Sequence, residues 1–128
     1  MVNFLFNRAK KRTSPMRNRT KMTALAFLNH VKKSSGNCWS TGEDYLLHGH
    51  CIAWWNYGKE KPEIHFNLRG YPTVTTRDRI NGILELAGSS YRVCQREFTQ
   101  YLIGPDLQRQ YVPDDGTFTV PDVRSMAT

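Results

Sequence analysis

The chain of 128 residues is long enough for one domain with one hydrophobic core, and its six phenylalanines, six tyrosines and three tryptophans can fill that core. Its formal net charge is +7, and no apolar run approaches the roughly 20 residues that span a bilayer, so the composition argues against a helical membrane protein. The odd number of cysteines, three, predicts reduced thiols in a cytosolic protein.

The positive charge is concentrated in the N-terminal third of the chain. Residues 1–42 carry nine lysines and arginines and no acidic residue, whereas the rest carries nine basic and eleven acidic residues. This asymmetry predicts a polyanionic partner, most often nucleic acid. The alternative is a solvated tail, or a stretch upstream of a true start at Met16 or Met22. The basic residues expected to contact the partner are Arg8, Lys10, Lys11, Arg12, Arg17, Arg19 and Lys21.

The first part of the chain predicts an arm followed by one folded unit. Residues 1–21 are basic and polar, contain the breaker Ser14-Pro15, and predict a disordered arm. Residues 22–128 are expected to form a single α+β domain. Its first element is predicted to be a short helix from about Thr23 to Lys33, because apolar residues recur there at helical spacing and Gly36 follows.

The middle of the chain predicts a β-hairpin after a polar connector over residues 34–43. Tyr45 to Tyr57 is aromatic and apolar, and Gly49 within it indicates either one bent strand or two short strands. Residues 64–68 alternate apolar and polar side chains, which is typical of a half-buried strand. These two runs are expected to pair across a loop of about five residues.

Residues 70–88, GYPTVTTRDRINGILELAG, give the clearest helix prediction. Thr75 is the expected N-cap and Asp78 stands at capping-box spacing from it. Gly88 is the expected stop, since glycine adopts the left-handed conformation that follows a helix at least cost. The apolar positions that repeat along one helix face are Ile80, Ile83, Leu84 and Ala87.

The C-terminal third predicts short strands at 91–96, 98–103, 111–112 and 118–120, the last two flanking a turn at 113–116. The order of elements is therefore helix, hairpin, helix and β-meander. This order predicts an α+β fold with a mainly antiparallel sheet, one face of which is covered by the central helix.

Two stretches, LHGHCIAWW and IHFNLRGYPTVTTRDRINGIL, resemble a pattern in small uncharacterised proteins of tailed bacteriophages. The resemblance covers about residues 45–120 and implies a phage origin and a host-cytoplasmic location, but no mechanism. His50 stands where the pattern usually has asparagine. The matching residues are His48, Gly49, Ile52, Ala53, Gly70, Tyr71, Thr73, Thr75, Thr76, Arg77, Arg79 and Asn81, and more loosely Phe98, Tyr101, Asp115, Gly116 and Val120.

The start of the central helix is the main candidate site. Exposed N–H groups and a partial positive charge at a helix N-terminus suit phosphate, and threonine hydroxyls and arginines add donors around the same anion. The alternative is structural: Thr75 only caps the helix, and the arginines pair with Glu85 or face solvent. The residues of this predicted anion or nucleic-acid site are Thr73, Thr75, Thr76, Arg77, Arg79 and Asn81.

Three other interpretations compete with the anion site. The first is a zinc site formed by residues of zinc-ligand type: Cys38, His48, His50 and Cys51, with His30 or His65 as further ligands. Their spacing fits no known zinc-binding pattern, so the histidines are expected in the core or on the surface, and no cofactor is expected. Two histidines near Asn56 or Glu63 suggest a nuclease, yet no nucleophile, base and orienting group can be assembled, so no enzyme is predicted. A third candidate consists of Trp54, Trp55 and Tyr57. The two tryptophans are expected to face opposite ways, so that one exposed ring could stack on a base or anchor a protein, but a sheet packed on both faces is the favoured alternative.

The sequence therefore predicts a binding protein. The first hypothesis is a phage accessory protein that inhibits a host defence or nucleic-acid-processing complex, of anti-CRISPR or anti-restriction type, through the arm and the arginine-bearing helix start. Its partner would be a host protein or ribonucleoprotein. The second hypothesis is a phage DNA- or RNA-binding protein, and the third is a sponge for nucleotide signals that uses the helix start without the arm.

Overall fold

The computed structural model describes residues 17–58 and 60–123, and these form the predicted α+β fold with mainly antiparallel sheets. Neither helix described there is long and apolar enough to cross a membrane. The elements are α1 (Asn18–Leu28), β1 (Lys33–Ser35), β2 (Cys38–Ser40), β3 (Asp44–Leu47), β4 (His50–Asn56), β5 (Glu63–Phe66), α2 (Val74–Leu86), β6 (Arg92–Arg96), β7 (Thr99–Ile103), β8 (Arg109–Val112) and β9 (Phe118–Thr119).

Helix α1 begins earlier than the sequence predicted. Residues 18–21, assigned to the arm, form its first turn, so the boundary at residue 22 is wrong. The buried residues lie at helical spacing on one face, and two of them are threonines. Thr23 satisfies its hydroxyl with the Arg19 carbonyl at 2.9 Å and the Tyr45 hydroxyl at 2.8 Å, so it packs as a core residue. The whole buried face is Thr20, Thr23, Ala24, Phe27 and Leu28.

Six strands form one antiparallel sheet in the order β1-β2-β3-β4-β5-β9. The predicted connector over residues 34–43 contains β1 and β2, which the sequence did not reveal because their residues, KSS and CWS, lack an apolar alternation. The run from Tyr45 to Tyr57 is two strands rather than one. His48 and Gly49, at φ 53° and 83°, form the two-residue turn between β3 and β4. The predicted pairing of β4 with β5 is confirmed.

Helix α2 has the predicted end but a different start. Thr73, not Thr75, is the N-cap, and its hydroxyl accepts a hydrogen bond from the Thr76 N–H at 3.1 Å. At the other end, Gly88 is left-handed at φ 79°. Its N–H bonds the Glu85 carbonyl and that of Ser89 bonds the Leu84 carbonyl, which is the Schellman arrangement. Gly88 is therefore the stop that the sequence predicted.

Strands β6, β7 and β8 form the predicted meander as a separate three-stranded sheet. The segment 113–116 is not the turn of a hairpin, because β8 pairs with β7 whereas β9 pairs with β5 in the larger sheet. Helix α2 contacts α1, β4 and β6, and α1 lies against β1, β2 and β3. Both helices, not the central one alone, therefore cover the larger sheet, and α2 connects it to the smaller one.

Candidate anion-binding pocket

A pocket of about 430 Å³ lies between the β3–β4 turn and the start of α2. Its apolar part comes from Leu47, Ile52 and Leu68 on the larger sheet and the segment that follows it. Pockets that combine an apolar lining with a few convergent polar groups are typical small-molecule sites. The polar and aromatic residues that complete the lining are His48, His50, Tyr71, Thr73, Thr75 and Thr76.

The first turn of α2 supplies hydrogen-bond donors beside this pocket. The Thr76 N–H is satisfied by the Thr73 side chain, and the hydroxyls of these two threonines lie 3.0 Å apart. The N–H groups of Val74 and Thr75 have no partner within residues 17–58 and 60–123. The first turn contains no acidic residue that would neutralise the helix dipole. A negatively charged group is therefore favoured at this end of the pocket.

The other side of the pocket is aromatic. The rings of His50 and Tyr71 lie 4.8 Å apart, and the left-handed backbone of His48 turns the chain at the pocket's edge. None of the lining residues is a carboxylate. Sequence reasoning considered His48 and His50 as metal ligands and missed that they share a pocket with Thr75.

Arg77 does not line the pocket. Its Nη1 donates to the Pro72 carbonyl at 3.0 Å, to Gln100 Oε1 at 2.9 Å and to Gln95 Oε1 at 3.3 Å. None of these acceptors is a carboxylate, and together they hold the guanidinium against the smaller sheet.

Arg79, which the sequence placed in the anion site, does not line the pocket. Its side chain is 2% exposed and forms an ion pair with Asp78. It also donates to the Thr20 hydroxyl at 2.8 Å, and Thr20 in turn donates to Asp78 at 2.9 Å. This cluster joins α1 to α2, and the Arg79 Nε has no partner within the described residues. Asp78 therefore acts here and not in a capping box.

Asn81, the other helix residue predicted for the anion site, also lies outside the pocket lining. Its Nδ2 donates to the Val93 carbonyl at 2.9 Å, and its Oδ1 accepts from the Val93 N–H at 2.7 Å. Because the two bonds satisfy both backbone groups of a β6 residue, Asn81 fastens the helix to the smaller sheet.

The basic residues of the predicted arm divide into two groups. Arg8, Lys10, Lys11 and Arg12 lie outside the described residues. Arg17 immediately precedes α1, Arg19 and Lys21 lie on it, and all three are exposed.

The candidate metal ligands do not converge. Across residues 17–58 and 60–123, no three histidine, cysteine or acidic side chains are placed to hold a metal. Cys38 is buried with its sulfur 3.5 Å from the Thr23 hydroxyl. Burial, and then the nearby Asp44 charge, raise the pKa of Cys51, so its thiol is not activated as a ligand or nucleophile.

The two adjacent tryptophans face opposite ways, as expected. Trp55 is buried and its Nε1 donates at 3.0 Å to the Phe27 carbonyl, which also accepts from the His30 N–H at the end of α1. Trp54 lies on the other face of the sheet, half-buried, with the Arg69 guanidinium 5.2 Å from its ring centroid.

Comparisons of the chain with protein-family models, with curated proteins and with solved structures find no match.

Proposed function

We propose that this chain is an accessory protein of a tailed bacteriophage that captures a small phosphate-bearing ligand, of the nucleotide-signal type, and acts by sequestering it without chemistry. The ligand's phosphate lies against the first turn of α2 and its planar part lies beside His50 and Tyr71. The observation that carries the proposal is the pocket itself. It combines an apolar lining, two imidazoles and a helix start with unpaired N–H groups, and it contains no carboxylate.

The distribution of arginines supports a small ligand over a long polyanion at this site. Arg79 is buried in the helix junction and Arg77 is held by two glutamines, so neither forms the cationic tip that a long polyanion would grip. The pocket volume of about 430 Å³ is within the usual range for small-molecule sites.

The proposal is tested by titrating the full chain with inorganic phosphate, pyrophosphate and a panel of linear and cyclic nucleotides in a calorimeter. Thr75→Glu places a carboxylate in the first turn beside the pocket. That charge favours the helix dipole, so the fold is retained, but it repels an anion in the pocket. We expect at least one nucleotide to bind and Thr75→Glu to weaken it by about tenfold or more.

Thr119→Glu is the matched control, because it adds the same charge at an exposed position of β9, away from the pocket. It is expected to bind as the wild type does. Failure of every phosphate compound to bind, or equal affinity in the Thr75→Glu variant, would reject the pocket as an anion site.

A second candidate function is inhibition of a host defence or nucleic-acid-processing complex. The specific observation in its favour is that Arg17, Arg19 and Lys21 are all exposed at the start of α1. In this case the cationic start of α1 contacts an acidic groove or the nucleic acid of the complex.

The second function is tested by capture from host lysate with and without nuclease, using the wild type and the triple variant Arg17→Gln, Arg19→Gln, Lys21→Gln. A partner that survives nuclease and is lost from the triple variant supports it. Equal capture by both proteins contradicts it. Nucleotide binding in the pocket is expected to be the same in both, so the two functions are separable.

A further inference from the structure

The three-stranded sheet has one covered face and one open face. Val93, Leu102 and Val112 are buried on the face towards which α2 packs. The strand registers place the residues between them on the opposite face, where Arg92 and Arg109 flank Ile103, and Cys94, Tyr101 and Tyr111 form the next row. We call this surface the arginine–tyrosine face and define it by Arg92, Arg96, Tyr101, Arg109 and Tyr111.

The arginine–tyrosine face carries positive charge without compensation. The other residues on this side of the sheet, Cys94, Thr99 and Ile103, bring no carboxylate to it. Within the described residues Arg92, Arg96 and Arg109 form no ion pair. The nearest acids along the chain, Glu97 and Asp106, lie in the turns at the ends of the strands. Three arginines without acidic partners repel one another, and a bound polyanion would reduce this repulsion.

The same face presents aromatic rings. Tyr101 and Tyr111 are directly opposite each other on neighbouring strands, so their side chains are adjacent. Tyr111 is 62% exposed. The Arg109 guanidinium lies 5.4 Å from the Tyr101 ring centroid, an arrangement in which a flat cation and a flat ring form one surface.

The β6–β7 turn adds a third ring beyond the end of the face. Glu97 and Phe98 form a two-residue turn with φ of 48° and 66°, a conformation that favours asparagine and glycine. Phe98 is nevertheless 91% exposed at its tip. An exposed phenylalanine in a strained turn does not stabilise the fold, so the Phe98 ring is available for a partner.

We propose that the arginine–tyrosine face binds a single-stranded nucleic acid. The arginines neutralise phosphates, and the tyrosines stack on unpaired bases. A duplex keeps its bases stacked on one another and offers them no free ring face, so single strands are preferred. An acidic protein segment would use the arginines and leave the rings without a function. This site is separate from the α2 pocket and does not rest on the function proposed for it.

The test is fluorescence anisotropy of the full chain with end-labelled oligothymidylate, oligouridylate and a DNA duplex of equal length, over a series of salt concentrations. We expect tighter binding to single strands than to the duplex. Tyr111→Ser should weaken single-strand binding by about tenfold, whereas Tyr111→Phe, which keeps the ring, should not. The two single-stranded probes show whether RNA or DNA is preferred, since only RNA offers a 2′-hydroxyl.

A double variant measures the phosphate contacts. Arg96→Gln with Arg109→Gln should make the slope of log affinity against log salt shallower by about 1.4, since each contact to a single strand contributes about 0.7. The matched control, Lys32→Gln with Lys33→Gln, removes the same charge from exposed positions at the start of the larger sheet. Wild-type affinity in Tyr111→Ser, equal binding of duplex, or an equal slope change in the control would each overturn the proposal. Binding of an acidic protein instead of single strands would do the same.

Discussion

The junction between the two helices and the arginine–tyrosine face contain the same type of residue in opposite settings. At the junction, Arg79 is buried against Asp78 and Thr20, and its charge holds α1 to α2. On the face, Arg92, Arg96 and Arg109 are exposed and have no acidic partner among the described residues. The first arrangement serves stability and the second leaves charge for a ligand.

The tyrosines repeat this contrast. Tyr45 is buried, and its hydroxyl is 2.8 Å from that of Thr23. Burial raises the pKa of Tyr45, so it remains a neutral hydroxyl. Tyr111 is exposed beside another ring. The difference teaches that the partners of a polar group, more than its type, decide whether its loss affects the fold or a ligand.

The largest expected effect is from Arg79→Ala. Removing the guanidinium leaves the Asp78 carboxylate without its cation and opens a void between the helices, so we expect the free energy of unfolding to fall by about 3 kcal/mol. Asp78 is 33% exposed, which keeps the loss at the lower end for a buried pair. Arg96→Ala on the face is the control and should change stability by less than about 0.5 kcal/mol. Urea unfolding followed by tryptophan fluorescence measures the free energy of unfolding of both variants. Equal stabilities would contradict the conclusion that Arg79 stabilises the fold and Arg96 does not.

A smaller effect is expected for Tyr45→Phe. It deletes one buried hydroxyl and leaves Thr23 with one hydrogen-bond partner fewer, so we expect a loss of about 1 kcal/mol. Tyr111→Phe makes the same chemical change at an exposed position and should be neutral. Urea midpoints of the two variants, measured side by side, test this, and a neutral Tyr45→Phe would show that the buried hydroxyl contributes nothing.

The smallest effect is expected to be a gain. Glu97→Asn with Phe98→Gly gives the β6–β7 turn the residues that its left-handed backbone favours, and no buried surface is lost because Phe98 is exposed. We expect stability to rise by up to about 1 kcal/mol. Thermal unfolding measures it, with Glu97→Asn alone as the intermediate step. A destabilised double variant would mean that the turn is not strained or that Phe98 packs in the fold.

The sequence predicted those elements whose signals are local. Gly88 ends α2 as expected because the left-handed stop depends only on its own residue. The pairing of β4 with β5 followed from alternation in the strands themselves. The first turn of α1, residues 18–21, was missed because it is polar in sequence, whereas its Thr20 hydroxyl is satisfied by Asp78 and Arg79 in the helix junction.

The candidate site was less predictable because it depends on contacts between distant segments. Thr75 and His48 were each singled out, but only the sheet topology brings the β3–β4 turn to the start of α2. Arg79 was placed in the anion site, whereas it pairs with Asp78 and donates to Thr20, which lies 59 residues away in the chain. The arginine–tyrosine face depends in the same way on the register of three strands.

The carboxamide of Asn81 holds Val93 with the pair of bonds that a neighbouring strand would supply. Arg77, in the first turn of the same helix, forms a second set of contacts by donating hydrogen bonds to Gln95 and Gln100. The smaller sheet is thus attached to α2 by side-chain hydrogen bonds at two points, and the start of α2 also lines the pocket. Because the same helix lines the pocket and carries these hydrogen bonds, the pocket wall and the smaller sheet form one mechanically continuous unit.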